Sequence, residues 1–161
     1  MRRSKQLIVL HHCLLNQNAR AKGLAKRSGA IEEIVEEALQ KGWGIYQIPC
    51  PELRFLGADR QPLTKTDYNV PEFRRICREI ALEVAGDLEE FAKAGYEILK
   101  IVGVEGSPSC GVNYTHIKID EEEMLVRGEG ILVEELKRAL LDKGICARYY
   151  GIKISKERSK G

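Results

Sequence analysis

Short apolar runs alternate with longer amphipathic segments along the chain. Four runs have the length and composition of buried β-strands, at 6–10, 44–48, 97–104 and 145–150. In three longer segments the apolar positions recur at helical spacing, at 28–41, 71–93 and 129–143. The order β-α-β-α-β-α-β predicts a three-layer, Rossmann-like α/β sandwich of about four parallel strands with helices on both faces.

Turn-forming residues indicate where these elements begin and end. Ser28 has the side chain of an N-cap, and Pro71 suits the first position of a helix. We expect a loop over 13–27 and a small β excursion within 114–126. The segment 52–70 is long for a connection and contains aromatic and leucine side chains, which predicts an ordered, functional loop.

Composition and charge fit one globular domain over residues 1–161. The chain is 43% hydrophobic and 31% charged, and 26 Lys and Arg against 24 Asp and Glu leave a net charge of +2. This near-balance argues against a nucleic-acid partner. The first apolar run ends at His11 and is too short for a membrane span or a signal peptide, so we expect a cytoplasmic protein with no membrane partner. The basic tail 153–161 is predicted to fray.

Five cysteines carry the candidate chemistry, and their odd number in a cytoplasmic chain argues against a disulfide framework. Cys13, Cys50 and Cys110 each follow one of the first three predicted strands. Because ligands of open α/β sheets bind beyond the carboxyl ends of the strands, we expect these three at one edge of the sheet. Cys77 and Cys146 are predicted to be buried small hydrophobes.

Three convergent thiolates suit a soft metal ion or an iron–sulfur cluster. A [4Fe–4S] cluster on three cysteines would keep one iron open to water or substrate, as a catalytic site requires. Two other interpretations stay open from spacing alone. The thiols are near one another by chance, or they bind zinc together with one histidine.

Polar residues beside these cysteines are further candidates for the site. Glu52, close after Cys50, can act as an acid, a base or a substrate contact, or is an ordinary loop glutamate. Hydroxyl groups next to Cys110 can bind cluster sulfides or an anion, or simply form a tight turn. Strand alternation predicts that, of the histidines before Cys13, at most one reaches the site. The additional candidates are Ser107, Ser109, His11 and His12, with His116 less favoured.

Four segments together resemble the thiouracil desulfurase (TudS) family, and more closely its small related branch of desulfidases. The most specific is the Ser-Pro-Ser-Cys-Gly sequence at 107–111. The other three are Cys-Leu-Leu at 13–15, Cys-Pro-Glu at 50–52, and the Gly-x-Gly at 128–130 with Gly-Ile at 144–145. They span nearly the whole chain.

The resemblance implies a [4Fe–4S] cluster held by Cys13, Cys50 and Cys110, whose fourth iron takes sulfur from the substrate. It assigns to Glu52 and Ser107 the acid and the hydroxyl that handle substrate and water. The implied reaction removes sulfur from a thiocarbonyl, such as a small thiolated pyrimidine, with water supplying the oxygen. A sulfur-accepting partner is compatible with this chemistry, and the oligomeric state is left open.

The sequence departs from the family in the residues that would shape the pocket. His11 and His12 replace small residues before the first cysteine, and the segments 18–23 and 53–62 do not match the family's pattern. Two alternatives therefore remain. One is a metal-free enzyme in which a cysteine is the nucleophile and His11 or His12 its base. The other is a non-catalytic cluster module closed by a fourth ligand such as His12.

Overall fold

A computed structural model describes residues 1–156 and confirms the predicted α/β class. The strands are β1 (Gln6–His11), β2 (Gly44–Ile48), β3 (Glu97–Val104), β4 (Tyr114–Ile119), β5 (Glu122–Arg127) and β6 (Tyr149–Ile152). The helices are α1 (His12–Leu15), α2 (Glu32–Lys41), α3 (Pro51–Leu56), α4 (Lys65–Tyr68), α5 (Pro71–Lys93) and α6 (Ile131–Asp142), with a 3-10 turn at Gln17–Ala19.

The main sheet has four parallel strands in the order β2-β1-β3-β6. Val9 on β1 pairs with Tyr46 on β2 and with Ile101 on β3, so β1 lies inside the sheet. The connection from β1 to β2 passes through α2 on one face of the sheet, and the connection from β2 to β3 passes through α5 on the other face. The order therefore reverses between β1 and β3, which is where open α/β sheets form their ligand crevice.

Apolar side chains cover both faces of the sheet and make it a three-layer sandwich. Leu7 and Val9 pack with α5 and α6, whereas Ile8 and Leu10 pack with α2 on the opposite face. This alternation along β1 is the expected pattern of a strand buried on both sides. Cys77 is fully buried on α5, which confirms its predicted role as a core residue.

Two predicted boundaries differ from the structure for local reasons. The helix predicted to begin at Ser28 begins at Glu32, because Ile31 is buried and its N–H donates to the Leu14 carbonyl oxygen. The strand predicted from residue 145 begins at Tyr149, because the chain first closes the end of α6 through the left-handed Gly144.

The prediction for Cys146 is wrong. Its side chain is exposed, since it lies in the turn between α6 and β6 and not in the strand. The third predicted helix begins at Ile131, two residues after Glu129.

The irregular segments are more ordered than the sequence suggests. The segment 13–27 contains most of α1 and the 3-10 turn, and the segment 52–70 contains most of α3 and all of α4. Phe55, Tyr68 and Phe73 form one aromatic cluster with ring centroids 4.5–6.4 Å apart, which ties α3 and α4 to α5. The predicted β excursion is the antiparallel hairpin of β4 and β5.

The predicted basic tail is described only in part. Arg27 Nε donates a hydrogen bond of 2.8 Å to the Ser155 carbonyl oxygen, and Ile154 packs against the α2 side of the core. Residues 157–161 lie outside the described residues. Within 1–156, none of the helices combines the length and the apolar character needed to cross a bilayer.

Candidate active site

One cavity of about 230 Å³ lies at the carboxyl edge of the sheet, and three cysteines line it. Cys13 lies on α1 directly after β1, Cys50 precedes α3 after β2, and Cys110 lies in the loop after β3. Glu52 and Ser107 line the same cavity. The structure thus brings together residues that are up to 97 positions apart in the sequence.

The sequence Cys-Pro-Glu places Cys50 at the start of a helix. Pro51 occupies the first turn of α3, and Cys50 is its N-cap, with Sγ 3.4 Å from the Leu53 N–H that it accepts. Pro51 also removes a backbone donor, so β2 ends before it. The short α3 then carries Glu52 into the buried interior beside the cavity, where it is 8% exposed.

The loop that carries Cys110 is cradled by glycines. A Cβ atom on Gly103 would lie 2.3 Å from the Cys110 carbonyl oxygen, and one on Gly130 would lie 2.2 Å from the Ser109 carbonyl carbon. The Ser107 hydroxyl accepts the backbone N–H groups of Ser109 and Cys110 at 3.3 and 3.0 Å. Backbone packed this closely holds the Cys110 loop in one position.

A buried polar network surrounds Glu52. Ser109 Oγ donates to Glu52 Oε2 at 2.5 Å, and Arg60 Nε lies 3.5 Å from Glu52 Oε1. The Arg60 guanidinium also donates to the carbonyl oxygens of Ala19 at 2.7 Å and Gly57 at 3.0 Å. A buried carboxylate is tolerated when it is paired and hydrogen-bonded in this way.

The two candidate serines contribute differently. Ser109 is the serine in direct contact with Glu52, and it is completely buried. Ser107 lines the cavity, and its oxygen is occupied by two backbone donors. Its own proton can be donated to Ser109 Oγ, 3.4 Å away, or toward a molecule in the cavity.

The expectation that at most one of His11 and His12 reaches the site is wrong. His11 is completely buried with Nδ1 2.9 Å from Cys110 Sγ, and His12 lines the cavity. Strand alternation fails here because α1 begins at His12. His116 also lines the cavity, with Nδ1 2.8 Å from the Gly106 carbonyl oxygen.

Sequence reasoning missed two arginines of the cavity. Arg60 binds Glu52 from the segment 53–62, and Arg20 lines the cavity beside Cys13 from the segment 18–23. Both segments are irregular and carry no motif, so the only signal for them was their position near the cysteines and their departure from the family pattern.

Burial dominates the electrostatics of the thiols. It raises the pKa of Cys50 to about 11, and it also raises the pKa values of Cys13 and Cys110. Negative charge on Cys13 and Cys50 raises the pKa of Cys110 further. At neutral pH the free thiols are therefore protonated, and a bound cation is what would stabilise them as thiolates.

The cavity offers sulfur donors of the soft type that iron–sulfur clusters and soft metal ions take. Among residues 1–156, no three His, Cys, Asp or Glu side chains lie close enough together to bind one ion. In a cluster each cysteine binds a different iron, so its thiolates stand further apart than those around a zinc ion. Three soft sulfur donors line one cavity here, and this donor type fits such a cluster.

Comparison with known proteins agrees with this geometry. The profile of the 2-thiouracil desulfurase family matches residues 8–143, a range that includes all three cavity cysteines. The chain belongs to the 2-thiouracil desulfurase family. Its membership indicates a desulfurase-like enzyme and confirms the resemblance seen in the sequence.

A relative of this chain is found in an archaeon. The uncharacterized protein MJ0003 of Methanocaldococcus jannaschii is 34% identical over 133 residues, which cover 83% of this chain and 76% of that protein. No solved structure matches the chain.

Proposed function

We propose that the protein is a [4Fe–4S]-dependent desulfurase that removes sulfur from a small thiocarbonyl compound, such as a thiolated pyrimidine. The observation that carries the proposal is the convergence of Cys13, Cys50 and Cys110 on one cavity beside the buried Glu52. Family membership supports the reaction class, and the donor set supports the cluster.

The reaction exchanges the sulfur of a thiocarbonyl for the oxygen of water. The C–S bond breaks, a C–O bond forms, and the sulfur leaves with the two protons of the water, so there is no net oxidation or reduction. When bound, the cluster supplies a Lewis-acidic iron that accepts the sulfur. The protein must position the substrate and move the protons of water.

The residues around the cavity suit these tasks. Cys13, Cys50 and Cys110 would hold the cluster. Glu52 would accept a proton from water, since Arg60 and Ser109 fix its carboxylate in position. Ser107 would donate its hydroxyl proton to the substrate in place of Ser109 Oγ.

Iron and acid-labile sulfide analysis after anaerobic reconstitution tests the cluster. Wild-type protein should hold about four irons and four sulfides per chain. Replacing Cys13, Cys50 or Cys110 by Ala should abolish this content. Cys146→Ala is the matched control, because this exposed cysteine lies in the turn before β6. Folded wild-type protein that takes up no iron would overturn the proposal.

A second experiment tests the role of Glu52. Glu52→Gln keeps the shape of the side chain and an acceptor for Ser109, but it cannot take a proton. Turnover of a thiolated pyrimidine should fall about 100-fold or more while the cluster content stays at the wild-type level. Unchanged turnover by loaded Glu52→Gln protein would remove Glu52 from the mechanism.

Two alternatives are less well supported by the site. A metal-free nucleophile needs a thiol of lowered pKa, whereas the pKa values of all three cavity thiols are raised. A closed module needs a free fourth ligand, yet both ring nitrogens of His12 lie beside amide groups, with Nδ1 2.7 Å from Gln47 Nε2 and Nε2 3.4 Å from Asn16 Nδ2. Cluster-free protein with full turnover, lost on replacing one cysteine alone, would favour the nucleophile.

A further inference from the structure

His11 is a completely buried residue beside the cysteines, and its ring is within hydrogen-bond distance of a sulfur atom. Its side chain is 0% exposed, and Nδ1 lies 2.9 Å from Cys110 Sγ. The other ring nitrogen, Nε2, is buried without a hydrogen-bond partner. This arrangement restricts where the imidazole proton can be.

The ring nitrogen of His11 that carries the proton depends on whether Cys110 is a thiol or a thiolate. If Cys110 is a thiol, its S–H donates to Nδ1, and the imidazole proton sits on Nε2 as a buried donor without an acceptor. If Cys110 is a thiolate, the proton sits on Nδ1 and donates to sulfur, leaving only an unused lone pair on Nε2. An unpaired buried donor costs more than an unused lone pair, so the geometry suits the thiolate that Cys110 becomes when a bound cation stabilises it.

Of the two side chains near Cys110 Sγ, Ser109 and His11, only His11 has a proton left to donate to the sulfur. Ser109 Oγ lies 3.4 Å from the same sulfur, but it donates its one proton to Glu52 Oε2. A neutral imidazole carries a single proton. That proton can serve only one of the two ring nitrogens.

We propose that His11 is a positioning residue whose Nδ1–H donates a hydrogen bond to the Cys110 thiolate when Cys110 is a cluster ligand. The inference rests on the proposed function, and it assigns a role to a residue that replaces a small one in the family pattern. The N–H dipole stabilises negative charge on sulfur, which makes the cluster easier to reduce and holds the ligand in place.

Two substitutions separate the hydrogen bond from the packing. His11→Asn keeps an N–H donor near the position of Nδ1, whereas His11→Leu is of similar size and has no donor. In reconstituted protein, the midpoint potential of the cluster should move to a more negative value in His11→Leu and stay near the wild-type value in His11→Asn. Transfer of iron to a chelator should be about tenfold faster in His11→Leu than in His11→Asn.

A spectroscopic measurement on the wild-type protein does not depend on the folding of any variant. Pulsed electron paramagnetic resonance of the reduced cluster, in protein labelled with 15N-histidine, should show a weak 15N coupling through the N–H···S bond. The coupling should vanish in His11→Asn, which carries no imidazole at this position but keeps the potential.

The outcomes separate this inference from the proposed function. Wild-type protein that binds a cluster but shows no histidine coupling, or His11→Leu with the wild-type potential, would overturn the role of His11 alone. Wild-type protein that binds no cluster would overturn both proposals. The iron and sulfide analysis of the wild-type protein detects that outcome without any His11 variant.

Discussion

The two walls of the cavity hold their cysteines in different ways. The wall that carries Cys110 is built from backbone, with Gly103, Gly111 and Gly130 so close to the loop that a Cβ atom has no room. The wall that carries Cys50 is built from side chains, chiefly Arg60 and its bonds to neighbouring segments. The segments that depart from the family pattern contribute to this second wall. The backbone wall fixes Cys110 by main-chain packing, whereas the side-chain wall depends on the identity of its residues.

The largest effect should follow from a methyl group in the backbone wall. In Gly130→Ala the new Cβ would lie 2.2 Å from Ser109 C and 2.6 Å from Cys110 N, and backbone cannot move aside without displacing the Cys110 loop. We expect a loss of about 4 kcal/mol in the free energy of unfolding, measured by urea denaturation.

The control for this change is Gly86→Ala on α5. A Cβ at Gly86 meets nothing within 4 Å, and alanine favours a helix over glycine. This variant should gain about 0.5–1 kcal/mol. If Gly130→Ala and Gly86→Ala had similar stabilities, the backbone wall would not be rigid.

A smaller effect, and one that can be rescued, is expected in the side-chain wall. Arg60→Met removes the cation beside the buried Glu52 and should cost about 3 kcal/mol in unfolding free energy. Adding Glu52→Gln removes the uncompensated charge, so the double variant should recover about half of this loss. A double-mutant cycle in urea measures the recovery. If the losses in unfolding free energy of the two single variants simply added in the double variant, Arg60 would not stabilise the charge of Glu52.

The sheet and its three cysteines were predictable because they follow from short-range pattern and one topological rule. The strand at 97–104 has the same limits in the sequence and in the structure. Parallel strands place their carboxyl ends at one edge, so Cys13, Cys50 and Cys110 come to one cavity without any local motif that joins them.

The rest depended on tertiary contacts that the sequence pattern does not encode. Arg60 bonds to Ala19, 41 positions away, through a backbone carbonyl that any residue could supply. His12 reaches the cavity only because a helix begins there, which ended the strand alternation used to predict its side. Cys146 is exposed because Gly144 turns the chain before β6 begins. Periodicity cannot detect any of these features.

The smallest effect tests how firmly α4 is tied to the hairpin of β4 and β5. Asp67 on α4 accepts the backbone N–H of Thr64 at 2.9 Å and lies 3.2 Å from Lys118 Nζ on β4. The Thr64 N–H, followed by its hydroxyl and Lys118, lowers the pKa of Asp67. Because the folded-state pKa is depressed, the stabilisation is present above the pKa of the unfolded state and is lost as the pH falls through the folded-state value.

Asp67→Asn removes this charge and keeps an acceptor for Thr64. Since the pair is partly exposed, we expect a loss of only about 0.5 kcal/mol at neutral pH. The difference from wild type should shrink as the pH falls below the pKa of the unfolded state and disappear once Asp67 is protonated in the folded state, and thermal unfolding from pH 7 down to about pH 2 measures it. A difference that did not change with pH would assign the effect to packing. Helix α4 would then be tied to the hairpin by shape and not by charge.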